Sequence, residues 1–225
     1  MLGDQTMNAG LGAHAMPGGL AGGRGGMDLL AGLDGSGEGH GGAEARPDAG
    51  GGATTAARLS ALPSCSNNPL VRAALRLLNL MATLRATVSI DDPERLRRSL
   101  VGEVRFFEEL ALQANVARDE IVGARYCLCT ALDECAAQTP WGSQGVWSRH
   151  SLLVTFHNET WGGEKYYQLL GRLAQYPERH QNLIELLYYC NALGFEGKFR
   201  IVDNGHAQLE ILKRRIATLI NTTRN

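Results

Sequence analysis

Apolar residues recur at steps of three and four along most of the chain beyond residue 68, which is the period of amphipathic helices. The pattern predicts a helix at 118–137 whose apolar stripe consists of Ile121, Ala124, Leu128, Leu132 and Cys135. Shorter helices are predicted near 148–156, 164–175, 182–193 and 206–221. Residues 198–202 suggest a brief extended segment, but no alternating run is long enough for a sheet. The sequence therefore predicts an all-α fold.

Two long helices are predicted to begin at a capping residue followed by proline. Asn68-Pro69 and Asp92-Pro93 combine a side chain that can accept free amide hydrogens with a residue that has none to lose. The first helix is expected in the middle of a bundle, because its polar positions form one narrow stripe. That stripe consists of Arg72, Arg76, Asn79 and Thr83. In the second helix, the residues expected to be buried are Leu96, Leu100, Phe107, Leu110 and Ala114.

The N-terminal part of the chain has a different composition. Of the 28 glycines, 18 lie in residues 1–52, where apolar periodicity and aromatic residues are absent. Such a sequence cannot bury enough apolar surface to offset the entropy of ordering, so residues 1–61 are predicted to be a disordered tail. Residues 62–225 are long enough for one helical domain.

Charge and cysteine content narrow the possible function classes. With 22 Lys and Arg against 23 Asp and Glu, the net charge of −1 argues against nucleic acid as the main partner. The sequence shows neither a secretory signal nor the run of about 20 apolar residues that a membrane span needs. Its five scattered cysteines suit a reducing compartment better than a disulfide framework. A cytoplasmic location is therefore predicted.

The catalytic motifs in the sequence are incomplete. His157 and Glu159 match the His-x-Glu half of a zinc deaminase signature, which also requires Pro-Cys-x-x-Cys. Cys127 and Cys129 are two residues apart on a predicted helix and so point in different directions. A metal-dependent hydrolase or deaminase using His157 and Glu159 is retained only as the alternative to a non-catalytic protein. No cofactor or metal is predicted.

Asp133 and Glu134 are adjacent acidic residues near the end of the helix predicted at 118–137. At 100° per residue, both carboxylates project away from an apolar stripe that is centred near Leu128. Two interpretations remain open. The residues are either ordinary solvated charges or a charged docking spot that helps to select a partner.

Glycines beside aromatic and charged residues mark two helix junctions, where a backbone needs unusual dihedral angles or close approach. These junctions and several other motifs occur in an order that resembles the TssL family of type VI secretion systems, which is related to DotU (IcmH) of type IV secretion. The resemblance covers about residues 68–220. The motifs are Asn68-Pro69-Leu70, Ala131-Leu132-Asp133-Glu134, Trp147 with Ser151-Leu152-Leu153, Phe156-His157-Asn158-Glu159 with Gly162-Gly163-Glu164, Leu183–Cys190, and Leu193-Gly194-Phe195-Glu196-Gly197-Lys198-Phe199-Arg200.

The resemblance implies a hook-like pair of helical bundles at the cytoplasmic face of the bacterial inner membrane, anchored by a C-terminal membrane helix that this chain does not include. It implies a structural role beside TssM-like and TssJ-like subunits, recruitment of the baseplate through a TssK-like subunit, weak homodimerisation and no catalysis. The resemblance also implies a role in partner contact for Asp133 and Glu134, which match an acidic pair at the cleft between the bundles that is implicated in such contact in the family. Gly194, Gly197 and Arg200 match positions with a structural role in the cleft wall.

Overall fold

The computed structural model describes residues 67–143, 147 and 150–224. The tail predicted at 1–61 lies outside the described residues. The described residues form seven α-helices and one 3-10 helix, and no strand occurs among them. The α-helices are α1 Pro69–Ala86, α2 Pro93–Gln113, α3 Arg118–Ala137, α4 Leu152–His157, α5 Gly163–Leu173, α6 Pro177–Ala192 and α7 Gly205–Arg224, and the 3-10 helix is Gly197–Arg200.

Both predicted caps are confirmed. The Asn68 side chain accepts hydrogen bonds from the amides of Leu70 (2.9 Å) and Val71 (3.2 Å), which begins α1. The Asp92 side chain accepts one from the amide of Arg95 at 2.9 Å and begins α2. These bonds satisfy amides that have no partner within a first helical turn.

Helix α3 lies at the centre of the fold and contacts α1, α2, α4, α5 and α6. The five residues of its predicted stripe are all buried, as the sequence predicted. Burial extends further round the helix than one stripe, however, because Cys127, Cys129, Thr130, Ala131 and Ala136 are buried as well. No wide face of α3 is therefore left for solvent.

Two local predictions are wrong. Residues 198–202 are not extended, because Gly197–Arg200 forms a 3-10 helix that packs its Phe199 ring against Tyr167 (4.8 Å between centroids). In α2 the buried positions are Leu100, Val104, Phe107 and Ala111, whereas Ala114 is exposed. Ala114 caps the C-terminal end of α2 and has left the helical register that predicted its burial.

The predicted inward faces of the two last long helices are confirmed. On α6 the buried residues include Leu183, Leu186, Leu187 and Cys190, and on α7 they include Leu209, Leu212, Ile216 and Leu219. Helices α6 and α7 pack on each other along these faces. Within the described ranges, no helix combines the length and the hydrophobicity that crossing a membrane requires.

Candidate docking cleft

A cleft of about 310 Å³ opens beside the C-terminal half of α3. Its walls come from α3, the start of α4, the turn before α5 and the 3-10 helix. Most of its lining is apolar or glycine: Ala137, Gly142, Trp147, Leu153, Trp161, Gly162, Gly163, Phe195 and Gly197. Asp133, Glu134 and Arg200 are the charged side chains in that lining.

Asp133 holds the first wall of the cleft. Its carboxylate accepts hydrogen bonds from the amides of Leu152 and Leu153 at 2.8 Å each and from the indole Nε1 of Trp147 at 3.0 Å. Since the two amides belong to the first turn of α4, the negative charge lies at the positive end of that helix. Asp133 therefore joins the start of α4, which the Ser151 side chain caps, to α3.

Glu134 holds the opposite wall in the same way. Its Oε1 and Oε2 atoms accept hydrogen bonds from the amides of Glu196 and Gly197, both at 2.8 Å. Oε1 also accepts one from the side chain of Gln138 at 3.2 Å. Two neighbouring residues of one helix thus bind two segments that are separated by more than 40 residues of chain.

The orientation predicted for the acidic pair is confirmed only in part. Both side chains point away from the Leu128 stripe, but they meet α4 and the 3-10 helix and are only partly exposed to solvent. Burial raises the pKa of Asp133 to about 6 against the opposing effect of the Leu153 and Leu152 amides. Burial also raises the pKa of Glu134, opposed by the amides of Glu196 and Gly197 and by the charge of Arg200.

The glycines of the two junction motifs allow the walls to approach closely. A Cβ on Gly162 would lie 2.7 Å from Thr130 Cγ2, and one on Gly163 would lie 3.1 Å from the Cα of Gly197. Gly197 has a φ of +53°, which side chains other than glycine rarely adopt, and a Cβ there would lie 3.0 Å from the carbonyl oxygen of Gly163. The glycine pattern in the sequence therefore indicates a close backbone contact, which the structure places between α5 and the 3-10 helix.

The three residues predicted in the cleft wall do not all lie in it. Gly197 and Arg200 line the cleft, whereas Gly194 is not among its lining residues. Gly194 has a φ of +106° and faces Arg85, whose guanidinium donates hydrogen bonds to the carbonyl of Leu193 (3.2 Å) and to Gln138 (2.7 Å). Gly194 thus shapes the turn that leads into the wall.

Sequence reasoning missed Trp161 as a residue of this site. Its side chain is 60% exposed, although it lines the cleft together with buried Trp147 and Leu153. Trp161 directly precedes the Gly162-Gly163 pair, so its place at a close-packed helix junction was the available signal. By contrast Tyr166 and Tyr167 are fully buried.

The residues of the hydrolase alternative are paired with other side chains or buried. His157 Nε2 accepts a hydrogen bond from Arg125 Nε at 3.3 Å, and burial lowers the pKa of its imidazole. Glu159 pairs with Lys165 at 2.8 Å. Cys127, Cys129, Cys135 and Cys190 are buried, and burial raises the pKa of the last two thiols to about 12. Over the part of the chain that the structure describes, no three His, Cys, Asp or Glu side chains converge as metal ligands would.

Comparison with known proteins identifies the family. The family described as "Type VI secretion system protein DotU" matches residues 69–225. The chain belongs to this DotU family. Its members are structural components of the type VI secretion membrane complex. No curated protein matches the chain.

Solved structures agree with this assignment. TssL from Vibrio cholerae is 36% identical, with a TM-score of 0.63 over 71% of this chain and 99% of that chain. The cytoplasmic domain of TssL from Acinetobacter baumannii is 24% identical, with a TM-score of 0.64 over 69% of this chain and 98% of that chain. SciP/TssL from enteroaggregative Escherichia coli 042 is 19% identical, with a TM-score of 0.57 over 65% and 87% of the two chains. The last two show the fold alone.

Proposed function

We propose that this DotU-family chain is a non-catalytic recruitment subunit that docks the cytoplasmic baseplate to the inner-membrane complex of a type VI secretion system. Family membership supports the place in the complex, with TssM-like and TssJ-like subunits as its membrane partners. The observation that carries the docking role is the cleft, because a partly exposed tryptophan lines a preformed apolar recess. Concave apolar sites with a few fixed polar groups are typical binding sites, and tryptophan is frequent among the residues that dominate interface affinity.

Asp133 and Glu134 contribute to docking in this proposal by holding the two walls at a fixed separation. Their oxygens accept hydrogen bonds from backbone amides at 2.8 Å, so a partner does not have to order these walls when it binds. Preorganised sites bind more tightly because less conformational entropy is lost on association. The partner is a TssK-like baseplate subunit.

The test is calorimetric binding of the full chain to the cognate TssK-like subunit. We expect Trp161→Ala to weaken binding by tenfold or more, which corresponds to about 1.4 kcal/mol. Tyr176→Ala is the matched control, because that side chain is 66% exposed and does not line the cleft. Equal losses for the two variants, or none for either, would remove the cleft from the proposal.

A double variant tests the acidic residues. Asp133→Asn with Glu134→Gln removes both charges while keeping an acceptor oxygen at each position. Binding that falls with this double variant, while circular dichroism and thermal unfolding show a folded domain, supports a part in docking. Unchanged binding at low and high salt would show that the two carboxylates matter to the fold alone.

Weak homodimerisation is also part of the proposal. Sedimentation of the purified chain over a range of concentrations is expected to show a monomer that converts in part to dimer as the concentration rises. A monomer at every concentration would overturn it.

A further inference from the structure

The cleft offers an occupant fewer free carboxylate oxygens than its composition suggests. All four carboxylate oxygens of Asp133 and Glu134 accept hydrogen bonds from backbone amides. These oxygens are therefore occupied by the amides of residues 152, 153, 196 and 197 and are not free to bind an occupant. What remains available is an apolar surface with the exposed, cationic Arg200 at its edge. The best chemical match is a short segment that combines large apolar side chains with a carboxylate.

The chain itself contains such a segment. Residues 27–34 read Met-Asp-Leu-Leu-Ala-Gly-Leu-Asp. Met27, Leu29, Leu30 and Leu33 make 27–33 the only seven-residue window within 1–61 that has four large apolar side chains. Asp28 and Asp34 flank the leucines, so an apolar cluster carries an acidic residue on each side.

The length of chain between this segment and α1 matches the distance to be crossed. Residues 35–67 comprise 33 residues, and glycine-rich linkers of that length have a root-mean-square span of about 30 Å. The 18 residues of α1 rise about 27 Å from Asn68 to the last turn. There Arg85 donates hydrogen bonds to Gln138 and to the carbonyl of Leu193, next to the cleft residues Ala137 and Phe195.

We infer that residues 27–34 dock in the cleft of their own chain, with leucines against Trp161 and Leu153 and an aspartate paired with Arg200. The segment then competes with any partner for the same surface. A tether of this kind supplies an effective concentration on the order of 1 mM. With an intrinsic dissociation constant of about 0.1 mM, roughly one cleft in ten is free, so a competing ligand binds about tenfold more weakly. This inference concerns the same cleft as the proposed function but does not require that a baseplate subunit bind there.

The first experiment compares tryptophan fluorescence of the full chain with that of a Leu29→Ser, Leu30→Ser, Leu33→Ser variant. Because Trp161 is the most exposed of the three tryptophans, removing the docked segment is expected to move emission to longer wavelength and to increase acrylamide quenching. The matched control is Leu2→Ser, Leu11→Ser, Leu20→Ser, which changes three leucines of the same N-terminal part and should leave the spectrum unchanged. Trp161→Phe in both backgrounds should abolish the difference.

The second experiment adds a synthetic peptide of residues 25–36. The peptide is expected to bind the Leu29→Ser, Leu30→Ser, Leu33→Ser variant about tenfold more tightly than the native chain. Adding Arg200→Glu to that variant should weaken peptide binding. Arg214→Glu, which changes an exposed arginine on α7, should not weaken peptide binding. Equal affinity for the native chain and the leucine variant, or no binding to either, would overturn the inference. A fluorescence difference that disappears on dilution would assign the segment to the cleft of a second copy, and this would also overturn docking within one chain.

Discussion

Two carboxylate sites in this domain, the pair Asp133 and Glu134 and the single residue Glu185, are stabilised by different partners. Asp133 and Glu134 bind neutral backbone amides at the starts of two segments that are distant in sequence. Glu185 on α6 is 3% exposed and instead binds a cation, because its Oε2 accepts hydrogen bonds from Arg224 at 2.6 Å and from the Asn68 side chain at 2.9 Å. The acidic pair shapes a recess, whereas Glu185 joins the beginning of α1 to the end of α7.

The difference shows what each arrangement requires. Removing either carboxylate takes the acceptor from two backbone amides, so the cleft walls depend on each of the two acids. Arg224 can return to water, because its side chain is 45% exposed. Loss of a bond that leaves a buried donor unsatisfied costs more than release of a half-exposed arginine to water. Substitutions in the cleft should therefore destabilise the domain more than those at the Glu185 pair.

The largest effect is expected for Asp133→Ala. The substitution leaves the amides of Leu152 and Leu153 and the indole of Trp147 without their acceptor, and the free energy of unfolding should fall by about 3 kcal/mol. Urea unfolding followed by circular dichroism measures the change. Asp203→Ala, at an exposed position, is the control and should change the value by about 0.5 kcal/mol or less. Similar losses in the two variants would contradict the anchoring role.

Gly197→Ala is expected to cost about 2 kcal/mol, because alanine must adopt a φ of +53° and its Cβ would lie 2.9 Å from the rings of Phe195 and Tyr167. Gly102→Ala is the opposite case. Gly102 lies within α2, and no atom of another segment comes within 4 Å of the point that an alanine Cβ would occupy, so alanine there should stabilise the domain by about 0.5 kcal/mol. Thermal unfolding of both variants should show shifts of opposite sign. A tolerated alanine at 197 would show that the close contact with α5 is not needed.

The pH dependence of the free energy of unfolding should show the titration of Asp133. Its folded-state pKa of about 6 lies above the ordinary value of 3.8, so the folded domain holds the proton more tightly than the unfolded chain. The resulting stabilisation is complete below about pH 4 and is lost as the pH rises through about 6. Between about pH 7.5 and about pH 5, the native domain should gain about 1.4 kcal/mol relative to Asp133→Asn. A constant difference between the two proteins across this range would refute the assignment.

The smallest effect is expected for the Glu185 pair. A double-mutant cycle of Glu185→Gln and Arg224→Gln should give a coupling energy of about 1 kcal/mol or less, because solvent screens the half-exposed arginine. The coupling should decrease as salt is added. If it exceeded the loss at Asp133, the ranking of the two regions would be reversed.

Sequence pattern alone predicted most of the fold. The caps at Asn68 and Asp92 and the bounds of α3 follow from local signals, namely cap chemistry and helical period. The start of α6 did not follow from such signals, since the helix begins at Pro177 and includes a non-helical backbone at His180. A regular helical period cannot indicate a kink of this kind.

The sequence predicted only part of the cleft. The direction of Asp133 and Glu134 followed from helical geometry, but their partners are amides of residues 152, 153, 196 and 197. Backbone amides carry no sequence signature, so side-chain composition suggested either solvent or a protein partner. The Gly162-Gly163 and Gly197 positions were the recognisable part, because close approach demands glycine.

The bond between Arg224 and Glu185 also defines a path for mechanical load. A pull on the last turn of α7 reaches α6 through Glu185 and α1 through Asn68 before it can peel Leu219 and Ile216 from their packing. Tension applied at that end of the domain is shared by three helices from the outset.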